Sequence, residues 1–142
     1  MRRNAVQLTL ALLLAGGCDW LADPAPNEAR LFVQGEAGKE VRLIISTEFV
    51  AVVNELQQTR VEIFAADTLF TTLPYERVYT IEDDQRFFAE VARADDDVES
   101  VHMQVFVDDR RRFDEAGVLL DGSPYRFVYA FNQAITREIL VL

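Results

Sequence analysis

In the run Val101-His102-Met103-Gln104-Val105-Phe106-Val107-Asp108, Val101, Met103, Val105 and Val107 alternate with His102, Gln104, Phe106 and Asp108. A period of two sends successive side chains to opposite faces, which is the geometry of a strand with one buried face. The same period recurs upstream. Val41, Leu43 and Ile45 alternate with Arg42, Ile44 and Ser46, and Val61, Ile63 and Ala65 alternate with Glu62, Phe64 and Ala66. Further strands are expected at 30–34, 77–81, 86–93, 125–132 and 137–142, each bounded by Asp, Gly or Pro. Breaks at 35–38, Asp83-Asp84, Asp95-Asp96-Asp97, Asp108-Asp109 and Asp121-Gly122 fall near the roughly 8 to 12 residue spacing of sandwiches and barrels. The expected fold is all-β, an antiparallel β-sandwich of about 7 to 9 strands. Only 47–58 reads as a helix or turn, because Phe49, Val50, Val53 and Leu56 lie near helical spacing; 50–53 also reads as a continued strand.

Composition bounds the rest. The chain has 142 residues, 24 acidic and 14 basic, for a formal charge of −10, with half its residues apolar and 11% aromatic. That is one folded domain, too apolar for a disordered acidic tail. Lys39 is the only Lys, and no basic face is apparent, so nucleic acid is excluded as a partner class. No apolar run reaches the 18 or so residues of a membrane-spanning helix.

The start of the chain is organised for export. Met1-Arg2-Arg3 is basic, and residues 5–15 are apolar apart from Gln7 and Thr9, the plan of a signal peptide. The following Leu14-Ala15-Gly16-Gly17-Cys18 resembles the lipobox of bacterial lipoproteins, with Ala15 at the place usually held by Leu. The resemblance implies cleavage before Cys18, acylation of Cys18 and anchoring to the membrane through it. Cys18 is the only Cys, so a disulfide or a two-Cys metal site is impossible. Asp19 resembles the signal for inner-membrane retention in enteric-type sorting. The expected location is therefore the periplasmic side of the inner membrane or the outer membrane. The expected parts are a signal peptide at 1–17, a lipidated Cys and tether at 18–27 with Pro24 and Pro26, and a β-sandwich domain at 28–142. An extended tether reaches roughly 30 Å at about 3.1 Å per residue. Without Arg2 and Arg3, 12 basic side chains face 24 acids, a balance of −12, which an anionic leaflet repels.

Residues 120–132, Leu-Asp-Gly-Ser-Pro-Tyr-Arg-Phe-Val-Tyr-Ala-Phe-Asn, resemble the penultimate strand of immunoglobulin-like and fibronectin type III-like domains. The resemblance implies an immunoglobulin-like sandwich in which Tyr125 is a tyrosine corner, its hydroxyl bonded back near Asp121. Trp20 lies in the tether and no Cys pair exists, so two other marks of that family are missing.

The inventory for catalysis is thin. His102 is the only His, so Cys/His and multi-His sites are excluded. Ser46, Ser100 and Ser123 lie outside any Gly-x-Ser-x-Gly elbow, and Gly35-Glu36-Ala37-Gly38-Lys39 lacks Walker spacing and reads as a hairpin turn. The chain is expected not to be an enzyme and to need no cofactor. Asp95, Asp96 and Asp97 are the candidates for a Ca²⁺ site at a loop cluster, since several turn carboxylates can share one ion; solvated turn acids are the plainer reading. Arg110 and Arg112 should share one strand face and Arg111 the other, bonding neighbouring acids. The leading expectation is a lipid-anchored envelope protein with a structural or partner-binding sandwich, its partner an envelope protein. The alternatives are a calcium-assisted or carbohydrate-binding sandwich, or an up-and-down barrel whose Phe87, Phe127, Tyr129 and Phe131 line an apolar cavity. Phe64, Phe88 and Phe106 mark either a partner surface or a second buried sheet face.

Overall fold

The computed structural model describes residues 25–55, 58–97, 99–135 and 139–142. Those residues form ten strands and no helix: β1 (Glu28–Gly35), β2 (Glu40–Val53), β3 (Thr59–Thr72), β4 (Tyr75–Thr80), β5 (Phe87–Arg93), β6 (Glu99–Val107), β7 (Arg110–Leu119), β8 (Tyr125–Ala130), β9 (Gln133–Ile135) and β10 (Ile139–Val141). They build two sheets, ordered β4-β1-β6-β7 and β10-β3-β2-β5-β8-β9. The sandwich is thus all-β, with every described pairing antiparallel except β10 on β3.

The alternation in the sequence explains the core between the sheets. Leu31 and Val33, Val41, Leu43 and Ile45, and Val101, Met103, Val105 and Val107 are buried together with Phe87, Phe127 and Tyr129. Phe113 and Phe127 meet across it at 5.7 Å, and an aromatic pair of this kind adds about 1 kcal/mol beyond its buried area. Phe87 and Phe127 therefore fill a core, and Tyr129, buried with them, also borders a cavity of about 100 Å³ beside Pro26 and Asn132. Phe131 is 77% exposed. The described strands form two sheets, so the architecture is a sandwich and not an up-and-down barrel.

Three other expectations need correction. No helix forms at 47–55: β2 runs through to Val53, in keeping with the strand reading of 50–53, and a turn follows in which the Asn54 N–H donates to the Gln58 carbonyl at 2.9 Å. The strand count exceeds the expected range, because β9 is added to the expected runs and the strand expected at Arg110–Arg112 extends as β7 to Leu119. As an edge strand it buries only Phe113 and Leu119, so its sequence carries no clear period. It is joined to β6 by the two-residue turn Asp108-Asp109, both at positive φ (45° and 62°), as a tight hairpin turn requires. The Tyr125 hydroxyl, finally, is not turned toward Asp121. It lies over Gly117 of β7, where an added Cβ would come within 2.5 Å of it. Burial, and next the charge of Glu115, raise its pKa.

In the four-stranded sheet β1 lies between β4 and β6, and in the six-stranded sheet β2 and β5 are the central pair, flanked by β3 and β8. The amino-terminal edge is fastened early. Pro26 is buried, and the Asp108 carboxylate accepts the N–H groups of Asn27 and Glu28 at 3.0 and 3.2 Å, so residues 26–28 pack on the sandwich.

The six-stranded sheet is rolled. β2 and β3 carry compensating register shifts between Ile45 and Phe49, one extra residue on each strand. Such bulges turn the strand over. Val41, Leu43, Ile45 and Leu69 face the inter-sheet core, whereas Phe49, Ala51, Val61 and Ile63 pack on the opposite face with Phe88, Val128, Ala130 and Ile139. Phe88, one of the three aromatics expected on a second sheet face, is completely buried there, while Phe64 is 63% exposed. The two edge strands confirm the roll. Only three residues separate β9 from β10, so opposite edges of the sheet lie no more than about 14 Å apart. Arg126 on β8 donates to the Ile139 carbonyl on β10 at 3.1 Å, across strands that a flat sheet would hold roughly 19 Å apart.

Ser46 makes the bulge tolerable. Its hydroxyl donates to the Ala65 carbonyl at 2.6 Å and accepts the Glu48 N–H at 3.0 Å, so two backbone groups that lose ladder partners are satisfied by one buried side chain. Ser46→Ala should cost about 2 kcal/mol in urea denaturation, because both groups are left unmade. Ser100→Ala, at an exposed serine, should stay within about 0.5 kcal/mol. Equal effects at the two positions would refute the role assigned to Ser46.

Candidate functional site

The outer face of the rolled sheet is apolar at one end and charged at the other. On β5 the outward residues are Phe88, Glu90 and Ala92, and the registers Glu90↔Arg126 and Ala92↔Arg42 bring two guanidinium groups beside one carboxylate. Arg126 Nε donates to Glu90 Oε2 at 2.7 Å, and Arg42 donates to Oε1 at 3.4 Å. The Glu90 side chain is 5% exposed, against 29% for Arg126 and 41% for Arg42. A buried carboxylate needs this double pairing, since a lone charge in the interior is costly.

These residues open onto a cavity of about 250 Å³, walled also by Ala92, Arg93, Asp95, the turn Leu120-Asp121-Gly122, and Pro124. Arg93 reaches it from the end of β5 and makes no ion pair with the described acids. Its Nε, and that of Arg42, are shielded from solvent with no acceptor among the described residues. The arrangement can pair with anions through planar N–H forks.

A second polar group occupies the outer face of the four-stranded sheet. His102 Nε2 and Asp114 Oδ1 are 2.5 Å apart, Gln104 donates to the same oxygen at 3.3 Å, and Arg111 pairs with Oδ2 at 2.6 Å. The hydrogen bond to His102 is the largest influence on Asp114 and lowers its pKa; slight burial opposes it, and Gln104 and the Arg111 charge assist. His102 is thus a cross-strand partner on the polar phase of β6. On the same face Arg30 stacks over Phe32 and Phe106, 5.6 Å from each ring, and pairs with Asp109 at 2.5 Å. Across the molecule, burial and the hydroxyl bond to Tyr75 raise the Tyr79 pKa well above its ordinary value.

The sequence-expected sites fare differently. Cys18 and the signal peptide lie outside the described residues. Asp95, Asp96 and Asp97 form a turn in which Asp95 Oδ1 accepts the Asp97 N–H at 2.9 Å and Asp97 pairs with Lys39 at 3.1 Å. Among the described residues no three acidic or His side chains gather so as to hold a metal. Arg110 and Arg112 both line a smaller cavity of about 100 Å³ beside Pro26, while Arg111 turns to Asp114. The pocket of Arg42, Glu90, Arg93 and Arg126 was missed. One signal for it exists: Glu90 is the sole charge inside the apolar run Phe87-Phe88-Ala89-Glu90-Val91-Ala92, and a strand buried on both faces hides such a charge only beside cations.

The described residues therefore define an all-β sandwich with a rolled second sheet and an arginine-walled pocket at its mouth. No known protein family, curated protein or solved structure matches the chain.

Glu90→Ala should lower stability by roughly 2 to 3 kcal/mol, less than loss of a fully buried partner, because Arg42 and Arg126 both reach solvent. A cost below about 0.5 kcal/mol would show that the cluster does not hold the rolled sheet. Asp114 should titrate below its ordinary value of 3.8 in a carboxyl NMR titration, and His102→Ala should bring it back toward that value. Its folded pKa is depressed, so the stability it lends is present above the unfolded value of about 3.9 and is lost as pH falls through the folded one.

Proposed function

We propose that the protein is a lipid-anchored bacterial envelope protein whose sandwich is a non-enzymatic, partner-binding or structural module. The observation that carries the reading is the position of the single Cys, directly after an apolar run of signal-peptide length and in a Leu-Ala-Gly-Gly-Cys context. Acylation there places the domain on the periplasmic side of the inner membrane or on the outer membrane, with Asp19 favouring the former under enteric-type sorting. Two or three acyl chains, at about 0.8 kcal/mol per buried methylene, make the attachment effectively permanent. The domain is then carried on a short tether that ends at Pro26, which is buried against the sandwich. The net acidity of the chain favours holding that domain off an anionic leaflet. A two-sheet sandwich suits a module that presents its faces and loops to a partner.

Mass spectrometry of the protein expressed with its signal peptide, beside Cys18→Ser, tests this. The expected result is an amino terminus at acylated Cys18 that the mutant lacks. An unmodified Cys18 with cleavage elsewhere would make the protein a soluble secreted domain and overturn the anchor.

A further inference from the structure

The pocket at the mouth of the rolled sheet has more cationic capacity than its own buried acid uses. Glu90 is satisfied by one bond from Arg42 and one from Arg126, and Arg126 spends a further N–H on the Ile139 carbonyl. Arg93 lines the same cavity and makes no ion pair with an acid among the described residues. The remaining acids of the wall, Asp95 and Asp121, are exposed, and Asp95 already accepts the Asp97 N–H. The lining thus sets three guanidinium groups against one buried and two exposed carboxylates, and water screens the exposed rim acids more than it screens Glu90.

We propose that this pocket binds a small oxyanion, a carboxylate or phosphate group, held between Arg93 and Arg42 with Arg126 behind it. Guanidinium forks match such groups in plane and spacing, and each N–H bond to an anion is charge-assisted. The volume of about 250 Å³ admits a group of a few heavy atoms, below the size of a pocket for a drug-sized ligand. Glu90 is the fixed counter-charge that aligns Arg42 and Arg126 before the anion arrives, which lowers the ordering cost of binding. The carboxylate and phosphate readings share one chemistry and are separated by the choice of probe. The proposal is independent of acylation at Cys18, so either can fail while the other stands.

The test uses the full-length protein in a non-ionic detergent at about 10 mM ionic strength, where the Debye length is roughly 30 Å. Inorganic phosphate and, separately, succinate are titrated while the arginine Nε–H resonances are followed by NMR. Saturable shifts confined to Arg42, Arg93 and Arg126 are expected with at least one probe. The probe that saturates identifies the group. Arg93→Gln, which breaks no ion pair, should weaken binding about tenfold, the worth of one charge-assisted fork. Arg30→Gln, on the other sheet, should leave it unchanged. Asp121→Asn should tighten it about twofold by removing a rim acid, an outcome that misfolding cannot mimic. Shifts that never saturate with either probe, or equal weakening by Arg93→Gln and Arg30→Gln, would overturn the proposal.

Discussion

The structure depends on the paired bulge between Ile45 and Phe49. In a regular hairpin Phe49, Ala51, Val61 and Ile63 would follow Val41, Leu43, Ile45 and Leu69 into the space between the sheets, which Leu31, Val33, Met103 and Val105 already fill. They would also leave Phe88, Val128 and Ala130 facing water. The bulge reassigns half of a long hairpin to the opposite face, so the six-stranded sheet is apolar on both sides along part of its length. The uninterrupted burial of β5, from Phe87 to Ala92, follows from that. Arg86 reinforces the same point by donating to the Phe49 carbonyl at 2.6 Å.

Rolling also decides where charge can sit. The second apolar cluster closes one end of the rolled sheet, with Phe49 and Phe88 meeting edge to face at 6.2 Å. One pleat further along β5 comes Glu90, and from there the outer face is polar. A carboxylate placed there sits beside a low-dielectric floor, which strengthens its attraction to Arg42 and Arg126 and raises the cost of losing either. The Arg126 bond to Ile139 then ties the cluster to β10, so one ionic group links the central strands to the edge that the roll brings round.

The sequence made part of this legible. The strict alternation of β6 and of the first half of β2 identifies one-sided strands, and the Asp pairs mark their turns. The inversion in β2 is hidden because Ile45 and Phe49 have the same parity, so counting by two puts them on one face. The spacing of Phe49, Val50 and Val53 that suggests a helix is the residue of that break in register. β7 is obscured for a different reason, since an edge strand with three leading arginines buries too few side chains to show a period. For the pocket, Glu90 alone carries a local signal. Arg42, Arg93 and Arg126 are separated by tens of positions and converge only through the β2–β5 and β5–β8 registers, which a single chain without its pairings does not state.

The charge balance bears on what such a pocket can recognise. A chain at −10 repels anions at long range, so electrostatic steering works against an oxyanion approaching the pocket. At physiological salt that repulsion fades beyond about 8 Å, whereas contacts with the partly buried guanidinium groups are screened far less. Recognition is therefore confined to groups that enter the pocket and meet the N–H forks at hydrogen-bond distance. A surface basic patch would gather any polyanion, but a cavity lined by Arg93 and by the Arg42–Glu90–Arg126 cluster, inside an acidic shell, favours a small anion that fits. The same logic explains why Glu90 belongs in the site: without a fixed negative charge, Arg42 and Arg126 would repel each other and swing out toward the acids at the rim.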